Sequence, residues 1–273
     1  MKKVLLFGLL GFFACQPSET QSDTANSKVE HALVSKEVTY ESDGVSMKGY
    51  LVFDSLKKGE RPGILVVHEW WGHNEHSRNS ANELAKLGYT AFAVDMYGDG
   101  KLAEHPKDAQ AFAGEVMKNF ESAKARFNAA RAILESDPHT DKSKIAAIGY
   151  CFGGGIVLNL ARQSADLKAV VSFHGSLGAV NIAEPGSVKA RMLVLNGEDD
   201  PMVDAASLTA FKSEMDSAGA NYLIVNYPNA KHAFTNPHAT EKGKAFGLPL
   251  EYNKAAADNS WKRMEQFFQE VFL

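Results

Sequence analysis

The chain has 273 residues, of which 45% are hydrophobic and 23% charged, and this composition is typical of a globular protein with one sizeable core. It excludes fibrous and wholly disordered proteins. The formal net charge of −4 argues against nucleic acid as a partner, because phosphate backbones attract basic surfaces.

The N-terminus combines two lysines, an apolar run from Val4 to Ala14 and then Cys15. This is the layout of an export signal, and the apolar run is too short to cross a bilayer. A cysteine directly after Ala14, followed by a polar stretch, resembles a bacterial lipoprotein signal. The resemblance implies that residues 1–15 carry the signal, that Cys15 receives the lipid, and that the mature protein is anchored to a membrane of the cell envelope by that lipid alone. A plain secretory signal is the alternative.

Residues 16–32 are rich in Ser, Thr, Asn and Gln and predict a flexible linker. The remainder, 33–273, is expected to form a single domain. Only two cysteines exist, so lipid on Cys15 would leave Cys151 without a disulfide partner. A free thiol in an exported protein suggests a chemical use.

The domain opens with two alternating segments around Asp43-Gly44, which predict an antiparallel hairpin. Short apolar runs then alternate with longer amphipathic ones. The predicted elements are strand GILVVH, helix 78–87, strand TAFAVD, one long helix within 106–136, strand KIAAIG, helix 154–163, strands LKAVVSF and ARMLVLN, helix 205–218, strand NYLIVN and helix 253–272. This alternation predicts an α/β fold, with a mostly parallel sheet flanked by helices on both faces and ligands bound at the carboxyl ends of the strands.

The segment GYCFGGG lies between a predicted strand and a predicted helix. Its glycine spacing fits neither the dinucleotide-binding pattern nor the phosphate-binding loop of nucleotide triphosphatases. It does fit the nucleophile elbow, in which Gly149 and Gly153 relieve crowding at a sharp turn that exposes the central side chain. Cys151 is therefore a candidate nucleophile, with simple packing of a buried cysteine as the alternative.

The partners of such a nucleophile follow it in the chain, each after a later strand. GEDDPMV follows MLVLN, and HAFTNP follows the last predicted strand. Asp200 and His232 are therefore the candidate orienting acid and general base, since a carboxylate must fix the tautomer of the histidine. Asp199 is the competing acid, which we expect to face solvent.

The motifs GYCFGG, GEDDPMV, KHAF and VVHEWWG occur in this order in the dienelactone hydrolase family of α/β hydrolases, which the chain resembles from about Val38 onward. The resemblance implies an α/β-hydrolase fold, hydrolysis of small carboxylic esters or lactones, and no cofactor or metal. It also implies that Glu69 contacts the thiol and activates it when substrate arrives.

Glu69 ends the apolar strand GILVVH and so lies at the edge where sites form, with a surface salt bridge as the alternative. The backbone N–H groups of Trp70 and Phe152 are the expected oxyanion hole. Trp71 and His174 are the candidate substrate contacts, although Trp71 also suits an ordinary core position.

Other residues carry weaker signals. His73 and His76 are three apart, but no third ligand with suitable spacing is evident, so we expect surface histidines and no metal. His68 is expected to pack at its strand end. The family grips a substrate carboxylate with an arginine shortly after the catalytic histidine, and no arginine follows His232 here. Lys231 is the remaining nearby cation.

The sequence thus predicts a cysteine-dependent hydrolase of small esters or lactones. A thiol acyltransferase remains an alternative because the acyl-enzyme can pass its group to another acceptor. A catalytically silent hydrolase fold that serves as a binding module of the envelope is the other alternative.

Overall fold

The computed structural model describes Met1 and residues 30–273. The predicted signal, the lipidation site Cys15 and most of the predicted linker lie outside the described residues. The residues from His31 to Leu273 form one compact unit. Across the described ranges, every helix is too short or too polar to traverse a bilayer.

The compact unit is built on an eight-stranded sheet in the order β1-β2-β4-β3-β5-β6-β7-β8. The first two strands are antiparallel, β2 runs antiparallel to β4, and all other neighbours are parallel. The strands are β1 (Leu33–Ser42), β2 (Val45–Asp54), β3 (Arg61–Val67), β4 (Thr90–Val94), β5 (Thr140–Tyr150), β6 (Ala169–Phe173), β7 (Arg191–Gly197) and β8 (Tyr222–Tyr227).

Seven helices accompany these strands in the compact unit. They are α1 (Glu75–Lys86), α2 (Pro106–Lys118), α3 (Phe120–Ser136), α4 (Phe152–Arg162), α5 (Ala205–Ser217), α6 (Ala239–Phe246) and α7 (Lys254–Phe272). Apolar side chains of α2 to α5 join one core cluster, and those of α1 and α7 join a second cluster. Because alternate residues of β3 to β7 enter one cluster or the other, the sheet is covered on both faces. The predicted α/β-hydrolase fold is confirmed.

The predicted linker extends two residues too far. His31 Nδ1 lies 2.9 Å from an Asp54 carboxylate oxygen, and the Ala32 N–H donates to the same carboxylate at 3.1 Å. The Ala32 carbonyl accepts from the backbone N–H of Ser55. These residues belong to the folded unit because the buried Asp54 side chain holds them at the end of β2.

The single long helix expected within 106–136 is wrong, because two helices occupy this range. Asn119 leaves helical geometry with φ −122° and ψ 78°, and its side chain caps α3 by accepting from the Ser122 N–H at 3.3 Å. Helix α6 was not predicted; it has eight residues, of which only Ala239 and Gly243 are buried. So short a segment shows no clear apolar period.

Candidate functional site

Cys151 occupies the turn between β5 and α4 with a left-handed φ of 52° and ψ of −113°. Few residues other than glycine tolerate this φ, so the turn is strained in the way expected of a nucleophile elbow. A Cβ on Gly149 would overlap the backbone of Gly153, and a Cβ on Gly153 would overlap the carbonyl oxygens of Val67 and His68. Both glycines are therefore required by the close approach of α4 to β5 and β3.

His232 and Asp200 meet beyond the carboxyl ends of β7 and β8. Nδ1 of His232 lies 2.8 Å from Oδ2 of Asp200, and both side chains are buried. The other Asp200 oxygen accepts from the Met202 N–H at 2.8 Å, which fixes the carboxylate. Asp199, the competing acid, is exposed.

The Cys151 side chain lies close enough to the same imidazole to affect its charge. Burial alone would lower the pKa of His232, but the negative charge of Cys151, together with the hydrogen bond and charge of Asp200, raises it to about 10. Nε2 is buried and makes no conventional hydrogen bond within the described part of the chain. The imidazole therefore stands between a carboxylate and a thiol, with Nε2 available for proton transfer.

Glu69 is buried at the end of β3, and its Oε2 accepts from Nδ2 of Asn236 at 2.6 Å. The loop that carries His232 also carries Asn236, whose own Oδ1 accepts from the His238 N–H at 2.9 Å. This contact fixes the amide orientation, so Asn236 presents a donor to the carboxylate. Because Glu69 is buried and forms no salt bridge with any described residue, the alternative of a surface salt bridge is not supported.

The two expected oxyanion donors lie on segments that a backbone hydrogen bond joins, since Trp70 follows β3 and Phe152 begins α4. The Gly153 N–H donates to the His68 carbonyl at 3.1 Å, which links the start of α4 to the segment after β3. Within the described residues, the N–H groups of Trp70 and Phe152 donate to no backbone carbonyl. They are thus free to bind a developing oxyanion.

The two expected substrate contacts are buried in this structure. Trp71 packs against the ring of Trp70, with centroids 5.1 Å apart, and the Lys242 ammonium lies 3.7 Å from the centroid of its ring. His174 lies behind His232, with ring centroids 5.3 Å apart, and its Nε2 is 2.8 Å from Oγ1 of Thr235. A direct contact of either residue with substrate stays a prediction.

The remaining histidines differ in burial. His68 is buried at its strand end as expected. The expectation of a surface position is wrong for His73, which is buried. This burial lowers the pKa of His73 to about 3. His76 is half-buried against Tyr150. The described residues contain no group of three side chains that could hold a metal ion.

Lys231 is exposed and pairs with the exposed Glu251 at 2.6 Å, so its charge is already paired at the surface. The half-buried cation near the site is instead Lys242 of α6. Burial lowers its pKa, and the charge of Glu69 opposes this shift. Lys242 was not predicted as a site residue because its helix, α6, was not predicted.

Tyr97 was missed as well. Its hydroxyl donates to the Trp70 carbonyl at 2.9 Å, and its phenol feels the charge of Cys151. Its position in the sequence could have identified it, because Tyr97 lies three residues beyond the end of β4, at the sheet edge where ligands bind.

A cavity of about 450 Å³ opens between α1 and α7 and reaches Tyr150 and Thr235. None of the predicted catalytic side chains lines it. We place the candidate active site at Cys151 because its thiol stands at a strained turn beside the imidazole that Asp200 holds, and the cavity is lined by none of these three side chains.

The chain matches known proteins over most of its length. The model of the dienelactone hydrolase family matches residues 47–272. Protein usf of Aquifex pyrophilus is 27% identical over 238 residues, which cover 85% of this chain and 97% of that protein.

Solved structures agree with this match. A dienelactone hydrolase-like promiscuous phosphotriesterase, P91 from metagenomic libraries, is 33% identical with a TM-score of 0.82, and the alignment covers 88% of this chain and 99% of P91. The structure named m3DLH is 34% identical with a TM-score of 0.83 and the same coverage of both chains. The chain therefore belongs to the dienelactone hydrolase family of α/β hydrolases.

Proposed function

We propose that the protein hydrolyses small carboxylic esters or lactones through a Cys151-His232-Asp200 triad and a thioester acyl-enzyme. The observation that carries this proposal is the position of the His232 imidazole, which is bonded to Asp200 and faces the sulfur at the elbow. A carboxylate-oriented imidazole beside a thiol is the arrangement that nucleophilic acyl transfer requires.

In the proposed reaction the Cys151 thiolate attacks the acyl carbon, and the carbonyl oxygen becomes an oxyanion held by the N–H groups of Trp70 and Phe152. Protonated His232 then gives its proton to the departing alkoxide, and the thioester forms. Water next gives a proton to His232 and adds to the thioester. Collapse of this second intermediate releases the acid and restores the thiolate. In a lactone, the leaving alcohol stays attached to the acyl group.

We propose that Glu69 activates the Cys151 thiol when substrate binds. In this structure its carboxylate is held by Asn236 at 2.6 Å, and Asn236 comes from the same loop as the catalytic histidine. A substrate that displaces this loop contact frees the carboxylate to approach the sulfur. The proposal therefore assigns Glu69 a contact that changes with substrate binding.

Several substrate classes suit this site. Esters, lactones and thioesters present the same trigonal acyl carbon to the thiolate, and P91 is named a promiscuous phosphotriesterase, so a phosphotriester belongs in the same panel. Turnover of each class by the protein and by Cys151→Ala separates the alternatives. Ester or lactone turnover that disappears in the variant supports the proposal, whereas equal turnover in the variant removes it.

The same assay addresses the rival functions. Faster product formation when an alcohol or amine acceptor is added, with the acyl group recovered on the acceptor, favours an acyltransferase. No turnover of any class by the native protein favours a binding module. The intact set of thiol, imidazole and carboxylates argues against the binding module, since binding alone does not require them.

The location of the protein is a separate proposal that rests on residues 1–16 alone. We propose export and attachment to the cell envelope by lipid on Cys15. The mass of the mature N-terminal peptide tests this, because lipidation removes the first fourteen residues and adds acyl chains, whereas an unmodified Cys15 contradicts it.

A further inference from the structure

We propose that His68 is a positioning residue of the oxyanion hole, whose imidazole holds and polarises the peptide unit between Glu69 and Trp70. The N–H of this peptide is the proposed Trp70 donor, and its carbonyl belongs to Glu69. Nδ1 of His68 lies 2.5 Å from that carbonyl oxygen. The inference rests on the proposed ester hydrolysis and adds a residue to it.

The tautomer of His68 follows from its two ring contacts. Nε2 lies 3.2 Å from the backbone nitrogen of Met96, which carries a proton and can only donate, so Nε2 must accept. The proton of the neutral ring is then on Nδ1, where it is donated to the Glu69 carbonyl. Burial lowers the pKa of His68 and so keeps the ring in this neutral form.

The carbonyl and N–H of one peptide unit are coupled by resonance, and hydrogen bonds in a chain strengthen one another. Donation by His68 to the carbonyl therefore makes the opposite N–H a better donor to an oxyanion. It also fixes the plane of the peptide. The Gly72 N–H donates to the same carbonyl at a longer 3.2 Å, so His68 makes the shorter of the two contacts.

The imidazole itself is held from several sides. Its ring stacks on Phe152 with centroids 5.8 Å apart and meets the ring of Tyr97 edge-on at 4.7 Å. Phe152 supplies the second oxyanion donor, and the His68 carbonyl accepts from the Gly153 N–H. His68 thus contacts both halves of the proposed hole, which a residue that only fills space between β3 and β4 would not need to do.

Two substitutions separate the contacts of the ring. His68→Asn places an amide N–H near the Nδ1 position and keeps the donor to the Glu69 carbonyl. His68→Gln places its amide near Nε2 and keeps only the contact with Met96. His73→Gln is the matched control, because His73 is another buried histidine of the same segment and its ring contacts the backbone of Lys48 instead.

The readout compares two reactions of Cys151 in the full chain. Acylation by an aryl ester passes through an oxyanion and is measured as the initial burst of released phenol. Alkylation by iodoacetamide displaces iodide and forms no oxyanion. We expect His68→Gln to lower the acylation rate about 10- to 100-fold, less than the loss for removing an oxyanion donor itself. Alkylation by iodoacetamide should stay within about twofold, and His68→Asn should recover most of the acylation rate.

Other results overturn the role of His68. One such result is an equal fall in the rates of acylation and alkylation in His68→Gln. Another is an unchanged acylation rate in His68→Gln. The third is a loss of acylation rate in His68→Asn as large as in His68→Gln. If His68→Gln does not fold, ¹⁵N NMR of the native ring decides, since a proton on Nε2 contradicts the proposal. No acylation in the native protein overturns the proposed function and this inference with it.

Discussion

Nδ1 of His232 and Oδ2 of Asp200 lie 2.8 Å apart although the residues are 32 positions apart in the chain. Helix α5 and strand β8 lie between them, and because β8 runs parallel to β7 the chain returns to the same edge of the sheet. The carboxylate can therefore fix which nitrogen of the imidazole carries the proton, which leaves Nε2 to exchange protons with the thiol.

Asp200→Asn is expected to lower kcat by about 10²- to 10⁴-fold, because an amide at this position permits the wrong tautomer of His232 while it preserves the shape of the site. The measurement is steady-state hydrolysis of an aryl ester at neutral pH. Asp199→Asn is the matched control, since Asp199 is exposed. A larger loss of kcat for Asp199→Asn than for Asp200→Asn would show that Asp199, and not Asp200, is the acid that orients His232.

His232 should titrate with a pKa of about 10, because the charge of Cys151 and the bond to Asp200 outweigh its burial. Since this value exceeds that of an unfolded chain, the charged imidazole stabilises the folded protein at neutral pH, and this contribution is lost as pH rises towards 10. Acylation should fall over the same range, because the unprotonated ring cannot supply a proton to the leaving alkoxide.

NMR titration of the His232 ring checks this value directly. Cys151→Ala removes the larger of the two charges that raise the pKa of His232 and should therefore lower that pKa. A native midpoint near the ordinary histidine value, unchanged in Cys151→Ala, would mean that the thiol does not face the ring.

Asn236→Ala is expected to destabilise the fold by about 1–3 kcal/mol, since it leaves the buried Glu69 carboxylate without its 2.6 Å donor. Asn236→Asp should cost more at neutral than at acid pH, because two adjacent carboxylates repel until one is protonated. Denaturant unfolding measures both. Asn79→Ala, at an exposed site in α1, serves as the control. Equal losses of unfolding free energy in Asn79→Ala and Asn236→Ala would show that the contact with Glu69 does not stabilise the fold.

Gly153→Ala should destabilise the protein by about 1–3 kcal/mol, because the new methyl group would overlap the carbonyl oxygens of Val67 and His68. Gly114→Ala is the matched control in the exposed middle of α2, where a Cβ meets nothing within 4 Å. There the change should stabilise by about 0.5–1 kcal/mol. The Tm should therefore fall in Gly153→Ala and rise in Gly114→Ala. A rise or a fall of Tm in both variants would contradict the close approach of the backbone at the elbow.

The order of strands and helices could be predicted because each buried strand is a short apolar run and most helices carry a clear apolar face. The elbow followed from Gly149 and Gly153, whose spacing reflects a local steric need. Asp200 could be preferred over Asp199 because its loop leaves the strand end directly. These signals are local in the sequence.

The parts that escaped prediction depend on contacts between distant segments. The bond between Asn236 and Glu69 joins a loop near the C-terminus to the end of β3, and no spacing in the chain reveals it. The buried His73 ring likewise lies near Lys48 and Asp95, which are distant from it in the sequence. At Asn119, a local capping preference overrode an apolar pattern that continues through both helices.

The proposed mechanism requires a covalent bond between the Cys151 sulfur and the acyl group of the ester. Intact-protein mass spectrometry, after rapid acid quenching of the protein with an activated aryl ester, detects such a bond. We predict a mass increase equal to the acyl group, located by peptide mapping on Cys151, lost on further incubation in water and absent in Cys151→Ala. Rapid turnover of the ester with no adduct on Cys151, or with the same turnover in Cys151→Ala, would contradict the account.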